Sequence, residues 1–344
     1  MGNKRGNLIK NMNFRKTKLL RLTILVILFL ISPNLSALSK EIDEENFLTQ
    51  YFWREVITLK PPERPRIGLV LGGGGARGLA HIGVFRVLEE AGLPVDIVTG
   101  TSVGALVGAL YSSGISIDRI ESMTEEIGWS DLTNISAPSV VTLFLSEKLL
   151  STEKMEKYIA DKIGNKRFDE LKIPFGCVAT DLRTGEKIIF YEGDVAPAVR
   201  ASATIPGVFT PVEYRHRLLV DGGLVDNIPT DVARMLKADI IIAVNISADF
   251  TKNTPSNIMS VLSQSISIQG EFLSGEQLKL TDLVINPEVS DVGIHELWRS
   301  RECIDAGIVA TRKIMPKLKR LIIDRTYQWT IDQKVTAGSR TIEK

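Results

Sequence analysis

The sequence predicts an α/β domain built around a mainly parallel sheet. Two five-residue runs, Ile67–Leu71 and Ile240–Val244, are wholly apolar, which is typical of strands buried on both faces of a parallel sheet. Helical patterns separate these and other short apolar runs. Glycine-rich turns join the first two apolar runs to the helical patterns that follow, as in repeated strand-turn-helix units.

The predicted elements follow one another with short connections. The first strand, residues 67–71, gives way at the glycines of residues 72–75 to a helical pattern that begins at residue 79 and ends near Gly92. A second strand at residues 95–98 precedes a helix that is small or apolar on every side and should be buried. The remaining predictions are helices at 116–127, 152–163, 194–202, 229–237, 256–274 and 296–323, a hairpin at 174–182 and 187–191, and strands at 218–220, 240–244 and 283–285.

The first 39 residues have the pattern of an export signal. Basic residues precede a charge-free apolar run at residues 22–31, which is too short to span a bilayer comfortably. Ala37-Leu38-Ser39 then supplies a small-x-small cleavage pattern. We expect export to the periplasm or secretion, with an uncleaved membrane anchor as the alternative. No cysteine lies near the cleavage region, which excludes a lipoprotein anchor.

The limits of the globular domain follow from composition. Residues 40–65 are polar and end in a proline-rich stretch, so they are predicted to be a linker. The domain is predicted to cover residues 66–325, with a C-terminal tail at residues 326–344. Within it, residues 140–145 form an apolar run with two open interpretations: a buried segment, or a mobile cover over the site that meets lipid.

The last helical stretch of the domain combines basic and apolar residues. Such a face would suit a membrane surface. Pro316 interrupts the pattern, however, which favours an ordinary docking helix with solvated lysines.

Composition excludes several classes of function. A formal net charge of +1 provides no field for nucleic-acid phosphates. Cys177 and Cys303 are too few for a disulfide framework and lack metal-binding spacing, so they are expected to be buried free thiols. Three scattered histidines do not supply a zinc cluster. A metal centre is therefore not expected.

The pentapeptide Gly100-Thr101-Ser102-Val103-Gly104 has the G-x-S-x-G pattern of a nucleophile elbow. It follows a predicted strand and precedes a predicted helix, the context that presents a serine hydroxyl on a sharp turn at a helix N-terminus. The alternative is a glycine turn whose serine only caps the helix.

The glycine loop at residues 72–75 is the candidate oxyanion hole. Without Cβ atoms, its backbone N–H groups can turn toward an oxyanion, and the loop opens a helix. The same segment matches a dinucleotide-binding fingerprint, with Gly73, Gly75 and Gly78 in the glycine positions. That fold needs an acidic residue at the end of the second strand. Asp96 lies at the start of that strand, so the cofactor hypothesis is disfavoured.

A serine nucleophile needs a base. Asp221 ends an apolar strand and precedes two glycines, which let the backbone approach another loop closely, so its carboxylate is the preferred candidate. Its alternative role is that of an ordinary turn-forming aspartate. Only His295 follows Asp221 as the order of an α/β-hydrolase triad requires. We expect His81 to pack in the helix after the glycine loop and His216 to be solvated.

Three motifs in this order resemble those of the patatin-like phospholipases. They are Gly73-Gly74-Gly75-Ala76-Arg77-Gly78, Gly100-Thr101-Ser102-Val103-Gly104 and Asp221-Gly222-Gly223, supported by Ala179-Thr180-Asp181, Ala201-Ser202-Ala203-Thr204-Ile205-Pro206 and Asn227-Ile228-Pro229. The resemblance covers about residues 66–247 closely and the region to about residue 320 loosely. It implies a three-layer α/β/α hydrolase with a mainly parallel central sheet and a Ser-Asp dyad, without a catalytic histidine, calcium or another cofactor.

By position, the resemblance implies that Ser102 is the nucleophile and Asp221 its base. The N–H groups of Gly73, Gly74 and Gly75 would form the oxyanion hole, and Arg77 would fix the loop or the acid electrostatically. The other supporting motif positions are Gly78, Gly100, Gly104, Gly222 and Gly223.

The substrates that the resemblance implies are acyl esters of lipids, as for a phospholipase A or a lysophospholipase. Phospholipid would then be the partner, with peripheral membrane contact and no nucleic acid. Two alternatives stay open: an esterase or thioesterase for small soluble substrates, and a non-catalytic lipid-binding module on the same fold.

Overall fold

The computed structural model describes residues 44–126, 149–246, 249–251 and 258–342. The chain divides into two compact units, residues 1–55 and 56–344. The predicted export signal at residues 1–39 and the apolar run at residues 140–145 lie outside the described residues, so both stay predictions. In the part of the chain that the structure describes, no helix is both long and apolar enough to cross a membrane.

The described residues form eight strands: β1 (Ile67–Leu71), β2 (Ile97–Gly100), β3 (Phe175–Asp181), β4 (Lys187–Phe190), β5 (Val212–Tyr214), β6 (Arg217–Asp221), β7 (Ile240–Val244) and β8 (Leu283–Ile285). The α-helices of the same residues are α1 (Glu44–Val56), α2 (Ala80–Glu90), α3 (Val103–Ser112), α4 (Ile117–Glu126), α5 (Glu153–Ile163), α6 (Val195–Ser202), α7 (Thr230–Met235), α8 (Ile258–Leu278) and α9 (Ser300–Ile342). Short 3-10 helices occur at Gly75–Leu79, Phe168–Glu170, Gly222–Leu224 and Leu297–Arg299.

The strands form one mixed sheet. Its order is β5-β6-β3-β2-β1-β7-β8, and β4 pairs with β3 off this path. The central strands β3, β2, β1, β7 and β8 run parallel to one another. Strands β4 and β6 are antiparallel to β3, and β5 is antiparallel to β6. Because helices flank this sheet, the predicted α/β class with a mainly parallel sheet is confirmed.

The two wholly apolar runs of the sequence lie at the centre of the sheet. Strands β1 and β7 pair in parallel from Ile67↔Ile240 to Leu71↔Val244. Every residue of both strands is buried, as expected for strands that helices cover on both faces. Their carboxyl ends, at Leu71 and Val244, therefore lie side by side at the edge of the sheet where the glycine loop begins.

The long C-terminal helix α9 docks on α2 through close backbone contacts. A Cβ atom added at Gly307 would collide with the carbonyl oxygen of Ala80, and one added at Gly83 would collide with that of Ile304. Only glycine permits so close an approach of two helices at these points. The two glycines therefore determine how closely α9 packs against the helix that follows the glycine loop.

Pro316 does not interrupt α9, contrary to the expectation from the sequence. A proline inside a helix costs about 3 kcal/mol. The nearby apolar side chains Leu318 and Ile322 are buried, and burying such a side chain contributes about 1.5 to 3 kcal/mol, which offsets that cost. The exposed side chains around the proline are basic: Arg312, Lys313, Lys317 and Arg320. This is the arrangement of a docking helix with solvated basic residues.

Two segments outside the predicted domain are helical. Helix α1 occupies Glu44–Val56, within the predicted linker, and α9 extends through most of the predicted tail to Ile342. The linker and the tail were predicted from composition, which is a weak guide to helix length. A helix that already exists adds further residues at little cost, because each fixed residue gains a hydrogen bond. The domain limits themselves stay a prediction.

The two cysteines are buried free thiols, as the sequence predicts. Cys177 lies on β3 and Cys303 on α9. Burial raises the pKa of both thiols, that of Cys303 to about 11. Since the thiolate is the reactive form, both side chains are expected to be inert near neutral pH.

Candidate active site

Ser102 lies on a sharp turn between β2 and α3, where the elbow pattern predicts it. Its φ of 57° and ψ of −125° are strained for a residue with a Cβ atom. A Cβ atom at Gly100 would collide with the backbone of Gly104, and one at Gly104 would collide with the carbonyl oxygen of Leu71. The Ser102 side chain caps no N–H group of α3, so the interpretation as a capping serine is wrong.

Strand β3 brings Ser102 and Asp221 together. Strand β2 pairs with β3 at Gly100↔Cys177, just before Ser102, and β6 pairs with β3 at Asp221↔Ala179. The two partner positions on β3 lie about 7 Å apart along the strand. Two residues separated by 119 positions in the sequence thereby reach neighbouring points of the sheet.

The Ser102 hydroxyl donates a hydrogen bond to Oδ2 of Asp221 at 2.6 Å, and both residues are buried. The other carboxylate oxygen, Oδ1, accepts from the N–H of Gly223 at 2.8 Å. Burial raises the pKa of Asp221 from 3.8 to about 6, although the bonds from Ser102 and Gly223 oppose this rise. A carboxylate with such a pKa is mostly ionised at neutral pH and accepts a proton more readily than an ordinary aspartate.

The segment that ends α6 holds the backbone of both residues. The Ser202 hydroxyl accepts a hydrogen bond from the N–H of Ser102 at 3.1 Å. The Thr204 carbonyl accepts one from the N–H of Asp221 at 2.8 Å, and the Thr180 hydroxyl donates to the carbonyl of Asp221 at 2.8 Å. Ser202, Thr204 and Thr180 are buried. These hydrogen bonds, which the sequence did not predict, position the serine and the aspartate relative to each other.

Two backbone N–H groups of the glycine loop have no acceptor among the described residues. The N–H of Gly73 donates to the carbonyl of Asn227 at 3.2 Å. Among the described residues, no acceptor is found for the N–H groups of Gly74 and Gly75, and both glycines line the same cleft as Ser102. Of the three predicted donors, Gly74 and Gly75 are therefore available to an anion, whereas the N–H of Gly73 is already occupied.

Arg77 and His81 support the glycine loop through its carbonyl groups. Nε of Arg77 donates to the carbonyl of Gly74 at 3.2 Å, and Nε2 of His81 donates to that of Gly72 at 2.8 Å. His81 is fully buried, which lowers its pKa to about 4 and keeps the imidazole neutral. His81 packs in α2, as predicted, but its bond to the loop was not foreseen, since a histidine in a helical pattern carries no signal for its partner.

Ser102 and Asp221 lie in an open cleft at the surface of the domain. The apolar part of its lining is Ile205, Pro206, Ile246, Ile266 and Ile294. The polar part includes Arg77, Asn227 and Glu271. Helix α8 supplies Ile266, Gly270 and Glu271 to this lining, although the sequence did not connect that helix with the site.

Asp226 ties the loop after β6 to its surroundings. Its Oδ1 accepts from Nε2 of Gln277 on α8 at 2.6 Å, and its Oδ2 accepts from Nζ of Lys187 at 3.0 Å. Its backbone carbonyl accepts from the hydroxyl of Thr101 at 2.8 Å. Burial raises the pKa of Asp226 to about 6, and Lys187 opposes that rise. The loop that begins at Asp221 is thus linked to both the elbow and α8.

The structure does not bring a histidine to Asp221. Both carboxylate oxygens of Asp221 accept hydrogen bonds from Ser102 and Gly223. His295 is exposed, with its ring edge-on to Trp298 at 5.9 Å between ring centroids. His216 is exposed, as the sequence predicts.

The carboxylate of Asp96 accepts hydrogen bonds at the amino end of its strand. Nη2 of the buried Arg64 donates to Oδ1 of Asp96 at 2.9 Å, and the N–H of Ile67 donates to Oδ2 at 2.8 Å. A ribose-binding acid would lie at the carboxyl end of the strand, beside the glycine loop. The position of Asp96 therefore argues against a dinucleotide site, in agreement with the expectation from the sequence.

Comparison with known proteins gives a match to one family. Residues 69–234 match the sequence model of the patatin-like phospholipases. An uncharacterized NTE family protein of Mycobacterium tuberculosis is 37% identical over 183 residues, which cover 53% of this chain and 49% of that protein. Patatin-like phospholipase domain-containing protein 6 of Homo sapiens is 36% identical over 185 residues, 53% of this chain and 13% of that protein. This chain thus spans half or less of the length of these relatives.

Among solved structures, the crystal structure of VipD from Legionella pneumophila aligns with a TM-score of 0.47 at 14% sequence identity. The alignment covers 74% of this chain and 67% of that chain. The mixed, mostly parallel sheet flanked by helices is the fold that the matched family model implies.

Proposed function

Because residues 69–234 match the sequence model of the patatin-like phospholipases, we propose that this chain is a lipid acyl hydrolase with Ser102 as its nucleophile and Asp221 as its base. The observation that carries the proposal is the 2.6 Å hydrogen bond between these side chains, on a strained turn in an open cleft. A nucleophile within hydrogen-bond reach of a base is the arrangement that covalent catalysis needs.

In the first step, Oγ of Ser102 attacks the carbonyl carbon of an ester while Asp221 takes the hydroxyl proton. The negative charge that develops on the carbonyl oxygen is stabilised by the N–H groups of Gly74 and Gly75. Donors of this kind lower the barrier by about 2.7 to 4 kcal/mol each. The bond to the leaving oxygen then breaks, and Asp221 returns the proton to the departing alcohol.

In the second step, water attacks the acyl group on Ser102. Asp221 takes a proton from the water, the same N–H groups hold the oxyanion, and the bond to Oγ breaks. The acid is released and the serine regains its proton from Asp221. Atoms and charges balance with ester and water as the only reactants, so the proposed cycle needs no cofactor.

The lining of the cleft supports an acyl chain as the group next to the ester. Ile205, Pro206 and Ile246 lie in the same cleft as Ser102. Each methylene of an acyl chain buried against such side chains contributes about 0.8 kcal/mol. We therefore propose lipid esters, of the phospholipase A or lysophospholipase type, as substrates in preference to small soluble esters or thioesters.

The test uses the full chain with a fluorophosphonate probe and a series of esters that differ in acyl length. We expect the probe to label Ser102, and we expect Ser102→Ala to lose at least about 10³-fold in kcat. His295→Ala serves as the matched control and should retain activity, because its ring lies outside the hydrogen bonds of Asp221. Activity should rise with acyl length.

Four outcomes would contradict this proposal in different ways. Labelling of another residue would remove Ser102 as the nucleophile. An inactive His295→Ala variant would favour a Ser-Asp-His triad that includes His295. Equal activity on short and long esters would favour a soluble-ester substrate, and no hydrolysis of any ester would favour a lipid-binding module.

A further inference from the structure

Arg77 and Glu271 bring opposite charges into the cleft without forming an ion pair. Arg77 is 5% exposed, and in the described part of the chain its guanidinium makes one hydrogen bond, from Nε to the glycine loop. Glu271 is half-buried on α8 and lines the same cleft. The two charges affect each other's pKa through space, but among the described residues neither has a direct salt bridge.

Glu271 also lacks a cation on its own helix. The residues three and four positions away are Ser267, Ile268, Ser274 and Gly275, none of which is charged. Burial raises the pKa of Glu271, while the positive charge of Arg77 opposes that rise. A half-buried carboxylate that lacks a direct ion pair is less stable than a paired one, and a cation brought by a ligand would stabilise it.

Glu276 on the same helix shows the ordinary arrangement. Its carboxylate pairs with Nζ of Lys279, just beyond the C-terminal end of α8, at 2.5 Å. Both of these side chains are about two-thirds exposed. Glu276 is therefore a solvated surface charge, whereas Glu271 is directed into the cleft that contains the serine.

We propose that Glu271 forms a subsite for the cationic part of a substrate head group, so that the chain prefers lipids with an ammonium group to lipids with an anionic head group. This inference rests on the proposed function, since it concerns the head group of the ester that Ser102 attacks. A head group with net negative charge would meet two carboxylates, Glu271 and Asp221, and, among the described residues that line the cleft, the one cation of Arg77. Such like-charge contacts discriminate through repulsion.

The experiment measures kcat/KM of the full chain in neutral-detergent micelles that carry dioleoyl phosphatidylcholine or dioleoyl phosphatidylglycerol. We expect the wild type to prefer phosphatidylcholine, and Glu271→Gln to reduce that preference about fivefold. Glu271→Lys should reverse it. Glu276→Gln, which removes one negative charge from the same helix, should leave the preference unchanged. Added salt should weaken the preference of the wild type.

The rate of Ser102 labelling by a neutral fluorophosphonate shows whether each variant retains a folded site. Equal preferences in the wild type and in Glu271→Gln, with normal labelling and hydrolysis, would overturn the head-group subsite alone. If Glu276→Gln changes the lipid preference as much as Glu271→Gln does, the effect comes from the net charge of the helix. That result would also overturn the head-group subsite. If the wild type hydrolyses neither lipid and Ser102 is not labelled, the proposed function fails, and the subsite fails with it.

Discussion

The two walls of the cleft are held in different ways. The nucleophile wall consists of Ser102, Asp221 and residues 202–204, and its hydrogen bonds are buried. The helix wall is α8, whose hydrogen bonds to the loop after β6 involve Gln269, Ser274 and Gln277 and are partly buried or exposed. The outward side of α8 exposes apolar residues, including Phe272 at 79%.

The nucleophile wall carries the reacting groups, whereas the helix wall only contacts the substrate. Reacting groups must be held to within a fraction of an ångström, which buried hydrogen bonds between sheet and helix ends achieve. A wall that only borders the substrate needs less exact placement, and its side chains can change at lower cost. We therefore expect substitutions on the nucleophile wall to reduce turnover, and substitutions on the helix wall to alter substrate preference.

The largest effect is expected from Asp221→Asn on the nucleophile wall. An amide cannot take the proton of Ser102, so kcat should fall by about 10⁴-fold. In the wild type, kcat/KM should fall as the pH decreases through about 6, because Asp221 then becomes protonated. A pH profile of kcat/KM from pH 4 to 9 checks this expectation, and a flat profile would contradict the role of Asp221 as the base.

The same variant should be more stable than the wild type at pH 8. The pKa of Asp221 is raised from 3.8 to about 6 by burial, so the folded state binds the proton more tightly than the unfolded chain does. Its ionisation therefore lowers the free energy of unfolding as the pH rises from about 4 to 6, and the full cost remains above that range. Removing the charge should add about 1 to 3 kcal/mol at pH 8, measured by urea unfolding.

An intermediate effect is expected from Ser202→Ala. The variant leaves the buried N–H of Ser102 without its acceptor, which costs about 1 to 3 kcal/mol and loosens the elbow. We expect kcat to fall about 10-fold to 100-fold, with KM little changed. Ser112→Ala is the matched control, because that hydroxyl is also buried but has no hydrogen-bond partner among the described residues.

Steady-state kinetics and thermal unfolding of both serine variants test this role. A similar loss of turnover in Ser112→Ala would show that any buried hydroxyl matters. A large rise in KM for Ser202→Ala would place Ser202 in substrate binding, contrary to a positioning role.

The smallest effect is expected from Phe272→Ser on the outward side of the helix wall. Since this side chain is exposed, the free energy of unfolding should change by less than about 0.5 kcal/mol. Phe85→Ala provides the contrast, because Phe85 is fully buried and stacks on Tyr111, and its loss should cost about 3 to 5 kcal/mol. If Phe272→Ser destabilises the chain as strongly as Phe85→Ala does, the outward side of the helix wall does not tolerate substitution as we expect.

Much of the fold was predictable because its elements leave local patterns. The strands at residues 67–71 and 240–244, the hairpin after residue 174 and the close of α5 at Gly164 all follow from runs of apolar residues and turn residues. The course of α9 through Pro316 was not predictable in this way. Whether a helix continues past a proline depends on how much apolar surface it buries, and that is a property of its packing.

For the candidate site, the sequence by itself determined the α/β class, the strained turn at Ser102 and the preference for Asp221. Buried parallel strands need unbroken apolar runs, and tight turns need glycine, so these features can be recognised locally. Only the tertiary structure decided that the N–H of Gly73 is occupied, that Ser202 and Thr204 anchor the reacting pair, and that α8 carries Glu271 into the cleft. These contacts join residues far apart in the chain, and a hydrogen bond between distant residues leaves no periodic pattern in the sequence.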